Sequence, residues 1–268
     1  AALDGIARRL LLETAIVIAG KQYHMVEIEA YVNTERLDVH QDTFTHGHAR
    51  QKLFGRWYFH AKGTGYKGGT YKGMDIAFGG PGIAAGFLIR AVAPVGGGDL
   101  VSGPCKVVDH ILRASRVGSI PALVERFEGD VPRVGAHGTM AAAGEPSPLF
   151  LAPLQTPRTV DCFTSPRVGL SLKTATPGSA HQQYFARPYR WLTEPKVKSG
   201  REYTAVGMAA AGLSPETIAE HIGSNLKTIQ GYVEAWKRGS KAGACEALYG
   251  KALSTADRCF AMGACATG

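Results

Sequence analysis

The sequence predicts an α+β protein with a small all-α extension at its C-terminal side, and three observations carry that prediction. "YHMVEIEAYV" (Tyr23–Val32) alternates polar and apolar residues in its first half, and "GFLIRAVAPV" (Gly86–Val95) is an apolar run ended by Pro94. Both patterns are those of strands. The 34 Gly and 14 Pro among 268 residues favour turns and loops over a helical bundle. After Pro195 the composition becomes helical. The expected division is a first domain over 1–198, a helical segment over 199–239 and a tail over 240–268.

In chain order, residues 5–33 read as a short helix followed by two strands, with apolar runs at Leu10–Leu12 and Ile16–Ile18. The stretch 34–56 is polar, holds three histidines and reads as a loop. "GTGYKGGTYKGM" (Gly63–Met74) has too much glycine for an ordinary core strand, so bulges or close ligand approach are expected there. Residues 129–160, rich in Gly, Ala and Pro, read as a long excursion. "SPRVGLSL" (Ser165–Leu172) and "YFARPYRWLTE" (Tyr184–Glu194) read as two late strands. Over Thr204–Gly239 three short helices are expected. Ser214 and Pro215 form an N-cap and first-turn pair. Leu226, Ile229, Val233 and Trp236 line one face of the last helix. Residues 240–268 show no clear periodicity and receive no assignment.

The formal charge of +8 and pI near 9.3 suit a polyanionic partner such as nucleic acid, because phosphate contacts release counterions. A basic surface without a dedicated partner is the alternative. Five cysteines without CxxC or Cys/His ligand spacing point to reduced thiols and away from a zinc site. No run approaches the ~18 apolar residues of a membrane span. The first twelve residues lack a signal-peptide layout, so an intracellular location is expected, nuclear in a eukaryote and cytoplasmic or nucleoid in a bacterium.

Candidate chemistry begins at Glu29, a carboxylate at the end of an alternating strand. Glu27 shares its parity and projects to the same face; the plain alternative is that both face solvent. His46 lies in "DTFTHGHARQ", close to His48 and Arg50, a cluster that can bind phosphate, stack on a base or simply be a solvated loop. Arg90 sits inside "FLIRAV", where a charge is costly unless paired. A buried carboxylate or ordered water is therefore expected beside it, unless the strand is an edge strand with a solvated head group.

Taken in order, these segments resemble the alkyladenine (3-methyladenine) DNA glycosylase family over roughly residues 5–195. "MVEIEAYVN" is similar to that family's strand ending in Glu-Ala-Tyr, and "DTFTH" to its acidic-to-His segment. "GTGYKGGTYKGM" resembles its Gly-Thr-x-Tyr … Tyr-Gly-Met hairpin. "FLIRAVAP" and "SGPCK" resemble its Leu-Leu-Arg-Ala-x-x-Pro and Ser-Gly-Pro-x-Lys segments, and "SPRVGLSL" with "FARPYRW" its closing segments. The resemblance implies a curved antiparallel, barrel-like sheet with flanking helices. It also implies a monofunctional enzyme that flips a damaged (alkylated or deaminated) purine out of double-stranded DNA and hydrolyses its N-glycosidic bond. Glu29 would be the general base for water, oriented with Arg90 and the carbonyl of Val168. Tyr31 and His46 would line the base pocket. No metal or organic cofactor is implied.

The departures bear on substrate. Lys72-Gly73-Met74, preceded by Tyr71, stands where the family has Tyr-Gly-Met, so either Tyr71 intercalates after a one-residue shift or Lys72 fills the gap; Met74 would also contact DNA. The family's second stacking Tyr falls near Gly69 and its guanine-rejecting Asn at Gly79, which would leave a wider, less discriminating pocket. Outside the resemblance, helices at 214–222 and 225–238 look like a helix-turn-helix. Ser224, Asn225, Lys227, Thr228 and Gln230 would then contact DNA, with Lys237 and Arg238 near phosphate; a packing or dimerisation module is the alternative. Two further readings of the whole chain stay open, a DNA-binding damage sensor without turnover and a hydrolase of RNA or free nucleosides.

Overall fold

The computed structural model describes residues 2–36, 39–127, 147–197 and 199–266. The fold is α+β with an antiparallel sheet. The chain divides into two compact units, Ala1–His40 with Thr45–Asp161, and Gln41–Phe44 with Cys162–Gly268. This division falls earlier than the expected boundary near 198. The reason is local: Phe163–Ser165 packs on a helix over Arg201–Ala210, where a Cβ on Gly207 would lie 2.1 Å from the Thr164 carbonyl oxygen.

In the first unit helix α1 (Ala2–Leu12) precedes β1 (Thr14–Ile18) and β2 (Lys21–Thr34), as the sequence predicts. Ile18 pairs with Lys21 across Ala19 and Gly20, both at positive φ (47° and 79°), the backbone of a tight hairpin turn. Next come β3 (Arg56–Phe59), a small hairpin of β4 (Ala61–Lys62) and β5 (Gly65–Tyr66), β6 (Met74–Ala77) and β7 (Ile83–Pro94). Between β6 and β7 the chain reverses through Pro81 and Gly82, the latter at φ 70°, with Gly80 and Ile83 exchanging backbone hydrogen bonds. Short β8 (Val101–Ser102) leads into α2 (Pro104–Ala114) and α3 (Ile120–Val124), and β9 (Leu149–Pro153) ends the series.

The strands lie in the order β9, β1, β2, β7, β6, β3, all antiparallel, with β8 on β7. Among the described strands of this unit no barrel closes, so of the curved, barrel-like sheet that the resemblance implies the structure shows the antiparallel sheet. Among the elements without a counterpart in the sequence reading, three stand out. Helices α2 and α3 were unassigned, although Val107, Val108, Ile111 and Leu112 make one buried face of α2. Strand β9 lies inside the stretch expected as a loop, and it pairs with β1 at a separation of more than a hundred residues. Much of 129–160 lies outside the described residues.

The second unit contains β10 (Phe163–Ser165), α4 (Ala180–Phe185) and β11 (Arg190–Leu192), then α5 (Arg201–Ala210), α6 (Pro215–Ile222), α7 (Leu226–Ala242) and α8 (Thr255–Ala266). The late strands are real but shorter than expected. Pro166 and the turn at Gly169 (φ 82°) end β10 early, and Tyr184–Phe185 closes a helix capped by Ser179. Segment Gln41–Phe44 belongs to this unit because Asp42 and Arg167, both fully buried, form an ion pair. The Arg167 guanidinium also lies 5.5 Å from the Phe44 ring and 5.6 Å from that of Tyr189.

Ala205 and Met208 of α5, Ile218 and Ile222 of α6, and Ile229 and Val233 of α7 form one core. Ser214 caps α6, Gly223 ends it at φ 67°, and Asn225 caps α7. This is the expected three-helix arrangement. The tail is a correction: α8 is a twelve-residue helix packed on α7. A Cβ on Gly239 would sit 1.9 Å from the Phe260 carbonyl oxygen, and one on Gly263 2.1 Å from that of Trp236. Small residues let the two backbones touch, and that requirement erased the apolar periodicity that would have announced the helix. Among the described residues no helix is long and apolar enough to cross a membrane.

A methyl group at Gly239 tests this packing. In an open helix Gly→Ala gains about 1 kcal/mol, but here overpacking of about 1–3 kcal/mol opposes it, so Gly239→Ala should lower stability in urea unfolding. A more stable variant would contradict the close α7–α8 contact.

Candidate functional site

The most strongly constrained polar group of the first unit is a buried triad on β2 and β7. Glu27 is 1% exposed, Glu29 0% and Arg90 6%. The register of β2 on β7 pairs Met25 with Val92 and Ile28 with Ile89, with an irregularity between them, and there the Arg90 head meets both acids. Arg90 Nε donates to Glu27 Oε1 at 2.7 Å and lies 3.4 Å from Glu29 Oε1, while Nη1 donates to Glu29 Oε2 at 3.4 Å. Burial alone would lower the Arg90 pKa, and Glu29 and then Glu27 outweigh it, holding the guanidinium above its ordinary value. The Tyr31 hydroxyl donates to Glu29 Oε2 at 2.9 Å, and Tyr31, half-buried, is the more exposed member of the group. The sequence reading of Arg90 as a paired, buried cation therefore holds, and Glu27 and Glu29 do not face solvent.

The same sheet face carries a second polar cluster. Glu29 and Asp75 are both paired with Leu88, so the two acids line up across three strands. His60 Nε2 lies 2.9 Å from Asp75 Oδ1, and Gln51 Nε2 donates to Asp75 Oδ2 at 3.2 Å. His46 joins this group through its ring, 4.5 Å from that of His60 and nearly perpendicular to it. Lys67 Nζ lies 3.0 Å from His46 Nε2, so the ring proton sits on Nδ1 and reaches the Tyr58 hydroxyl at 3.1 Å. Burial of its ring, then the charges of His60 and Lys67, lower the His46 pKa to about 4. His46 is thus a neutral aromatic surface at ordinary pH. Burial likewise raises Tyr58 to about 12, and His48 stacks on it at 5.3 Å.

Several expectations change. Gly69 is exposed at φ 55° with no neighbour near its Cβ position. The aromatic groups beside His46 are instead Tyr58 and His60, at the end of β3, which the sequence reading passed over because "RWYFH" shows no clean alternation. Met74 is 0% exposed; it is a core residue of β6 and not on a DNA-facing surface. Tyr71, by contrast, is 76% exposed, whereas Lys72 is ion-paired with Asp109 of α2. Of the two candidates for the intercalating position, Tyr71 is the one free to leave the surface. At Gly79 a Cβ would lie 2.2 Å from the Gln51 carbonyl oxygen and 2.3 Å from that of Ile83, so neighbouring backbone fills the space an Asn would need.

Val168 lies in the second unit, directly after the anchored Arg167. In that unit α6 and α7 are joined by a short turn from Gly223 to the Asn225 cap, and Lys227, Thr228, Lys237 and Arg238 are exposed on α7, with Gln230 half-buried. Asn225 is committed to the cap, accepting from the Lys227 amide. Among the described residues no group of three or more His, Cys, Asp and Glu is placed to hold a metal ion.

No family model matches the chain. It is similar to an uncharacterized protein of Acanthamoeba polyphaga mimivirus, 29% identical over 208 residues that cover 70% of this chain and 84% of that protein.

Removing one partner of a buried ion pair strands the others. Arg90→Met should cost about 3–5 kcal/mol in urea unfolding, and adding Glu27→Gln with Glu29→Gln should recover part of it. A loss well below 1 kcal/mol, on the order of an exposed pair, would mean that the triad is not desolvated.

Proposed function

We propose that the protein hydrolyses the N-glycosidic bond of damaged purines in double-stranded DNA, without a strand-cleaving step. The observation that carries this reading is Glu29, a fully buried carboxylate paired with Arg90 and bonded at Oε2 by the Tyr31 hydroxyl. The ordered resemblance of residues 5–195 to alkyladenine DNA glycosylases supports it. A carboxylate so placed takes the proton of a water as its oxygen bonds to C1′, while the bond from C1′ to the base breaks. Arg90 supplies countercharge and ties the two carboxylates together, its Nε–H on Glu27 and an Nη1–H on Glu29, a fork that lysine would not give.

The rings of Tyr31, His46 and His60 offer π surface to a base taken out of the stack, with the buried Tyr58 behind them; flipping is required because the bond is inaccessible within a duplex. Tyr71 is the wedge that would fill the vacated position. On this reading Lys72 holds the turn to α2 rather than entering the duplex. Lys227, Lys237 and Arg238 on α7 would add contacts to phosphate.

Single-turnover release of base from duplexes carrying 3-methyladenine, 7-methylguanine, hypoxanthine or ethenoadenine tests the reaction. Glu29→Gln should lower release by at least about 10²-fold and leave lesion-duplex affinity nearly intact. Equal rates would remove Glu29 as the base, and binding without release by the wild type would make the protein a damage sensor.

The α7 contribution is read separately from salt dependence. Replacing Lys227, Lys237 and Arg238 by Ala should flatten the slope of log K against log[salt] by about 0.9 for each lost phosphate contact. An unchanged slope would place α7 away from the backbone.

A further inference from the structure

The tail of the second unit holds a pair of thiols that the excision reading does not use. Cys245 lies just after Gly243, which ends α7, and opens a 3-10 turn over Glu246–Leu248. Cys265 stands in the last turn of α8. Their sulfurs are 3.0 Å apart. That is closer than two unbonded sulfur atoms ordinarily rest, and about 1 Å beyond the length of a disulfide bond.

The surrounding packing holds the two sulfurs in this approach. Cys245 is 1% exposed and Cys265 6%, and both belong to one apolar core with Leu172, Phe185, Tyr203 and Met262. The Tyr249 hydroxyl lies 3.8 Å from Cys245 Sγ. Helix α8 is also fixed at its other end, where Arg258 in its first turn pairs with Glu202 of α5 at 3.0 Å. Along its length Gly239 and Gly263 bring the backbones of α7 and α8 into contact. The proximity of the thiols is therefore set by the fold and not by the turn of one side chain.

We propose that Cys245 and Cys265 form a disulfide site, at which mild oxidation closes residues 245–265 into a loop and staples α8 to the segment that follows α7. This inference is independent of the excision reading. With hydrogen peroxide as the oxidant, the sulfur of one cysteine attacks a peroxide oxygen and the O–O bond breaks. The products are a sulfenic acid and a water that carries off the thiol proton. The second sulfur then attacks the first, the S–O bond breaks, and the oxygen leaves as water with the second thiol's proton. Two thiols are oxidised, and one peroxide is reduced to two waters.

The depth of the pair sets how it behaves. Burial, and then the bond to Cys245, holds the Cys265 thiol above its ordinary range, so little of it is thiolate in the closed fold. Bond formation is accordingly tied to folding or opening of the tail, and the finished bond is shielded from reductants. Those are the properties of a structural staple rather than of a rapid switch. Its effect is to remove chain entropy from the unfolded state by closing a loop whose ends are 20 residues apart.

The experiment treats the reduced whole chain with hydrogen peroxide, then denatures it, alkylates remaining thiols with N-ethylmaleimide and maps it with trypsin. The expected bond joins the peptide ending at Lys251 to the one that follows Arg258. That second peptide also carries Cys259, so Cys259→Ala should keep the cross-link, while Cys245→Ser and Cys265→Ser should each lose it. The oxidised wild type should unfold about 6 °C or more above the reduced protein, with no such shift in either Ser variant. Its bond should yield to a phosphine reductant much faster in urea than in buffer. If the Ser variants do not fold, the peptide maps and melting temperatures of the wild type and Cys259→Ala decide alone. Full alkylation of both residues after oxidation, or a cross-link to Cys259 instead, overturns the proposal. So does an oxidised protein that is no more stable than the reduced one, or a bond reduced equally fast in buffer and in urea.

Discussion

A guanidinium at the middle of a strand that is withdrawn from water must be matched where it stands, and Arg90 is matched by two acids that are equally withdrawn. Neither Glu27 nor Glu29 could remain at that depth without the cation, nor the cation without them. This makes the pairing of β2 with β7 a matter of charge as well as of hydrocarbon. A slip of one residue would turn three charges toward the face now occupied by Ile28, Ala30 and Ile89. Because β7 in turn carries β6, the same register fixes Asp75, and through Asp75 the ring of His60. Both halves of the polar face thus descend from one ion triad.

Ion triads of this kind are poor investments in stability alone, since apolar side chains of similar volume commonly serve as well or better. Their persistence at 0–6% exposure fits a site in which geometry is the selected property. The glycines tell the same story from the backbone side. Gly73 and Gly86 are not hinges; they are positions where a side chain from the neighbouring strand occupies the volume of the missing Cβ.

What could be read from the sequence was what is encoded locally. The alternation of Tyr23–Val32, the cost of Arg90 in an apolar run, and the Ser214–Pro215 cap each depend on a few consecutive residues, and each corresponds to an element or pairing in the structure. Features that depend on distant partners were not legible. Strand β9 becomes a strand only against β1, and His60 with Asp75 becomes a pair only once β3 and β6 are in register. Asp42 joins residues 162–268 through the distant Arg167. Helix α8 was hidden for a different reason: apart from Met262 its buried residues are Ala, Gly and Cys, which give little hydrophobic period because backbone approaches backbone there. The substitution of Gly69 for a stacking ring came from counting along a glycine-rich segment, where spacing carries little information; rings from β3 stand in that part of the fold.

Gly79 constrains how this protein can change. The carbonyl groups of Gln51 and Ile83 lie where any β-carbon would have to go, so every single substitution at this position meets main chain rather than a pliable side chain. Acquiring a new polar contact at this wall would first require the Gln51 turn or the start of β7 to shift, and only then the new residue. Mutational paths through position 79 are therefore ordered, and libraries that vary this codon alone should return almost exclusively glycine.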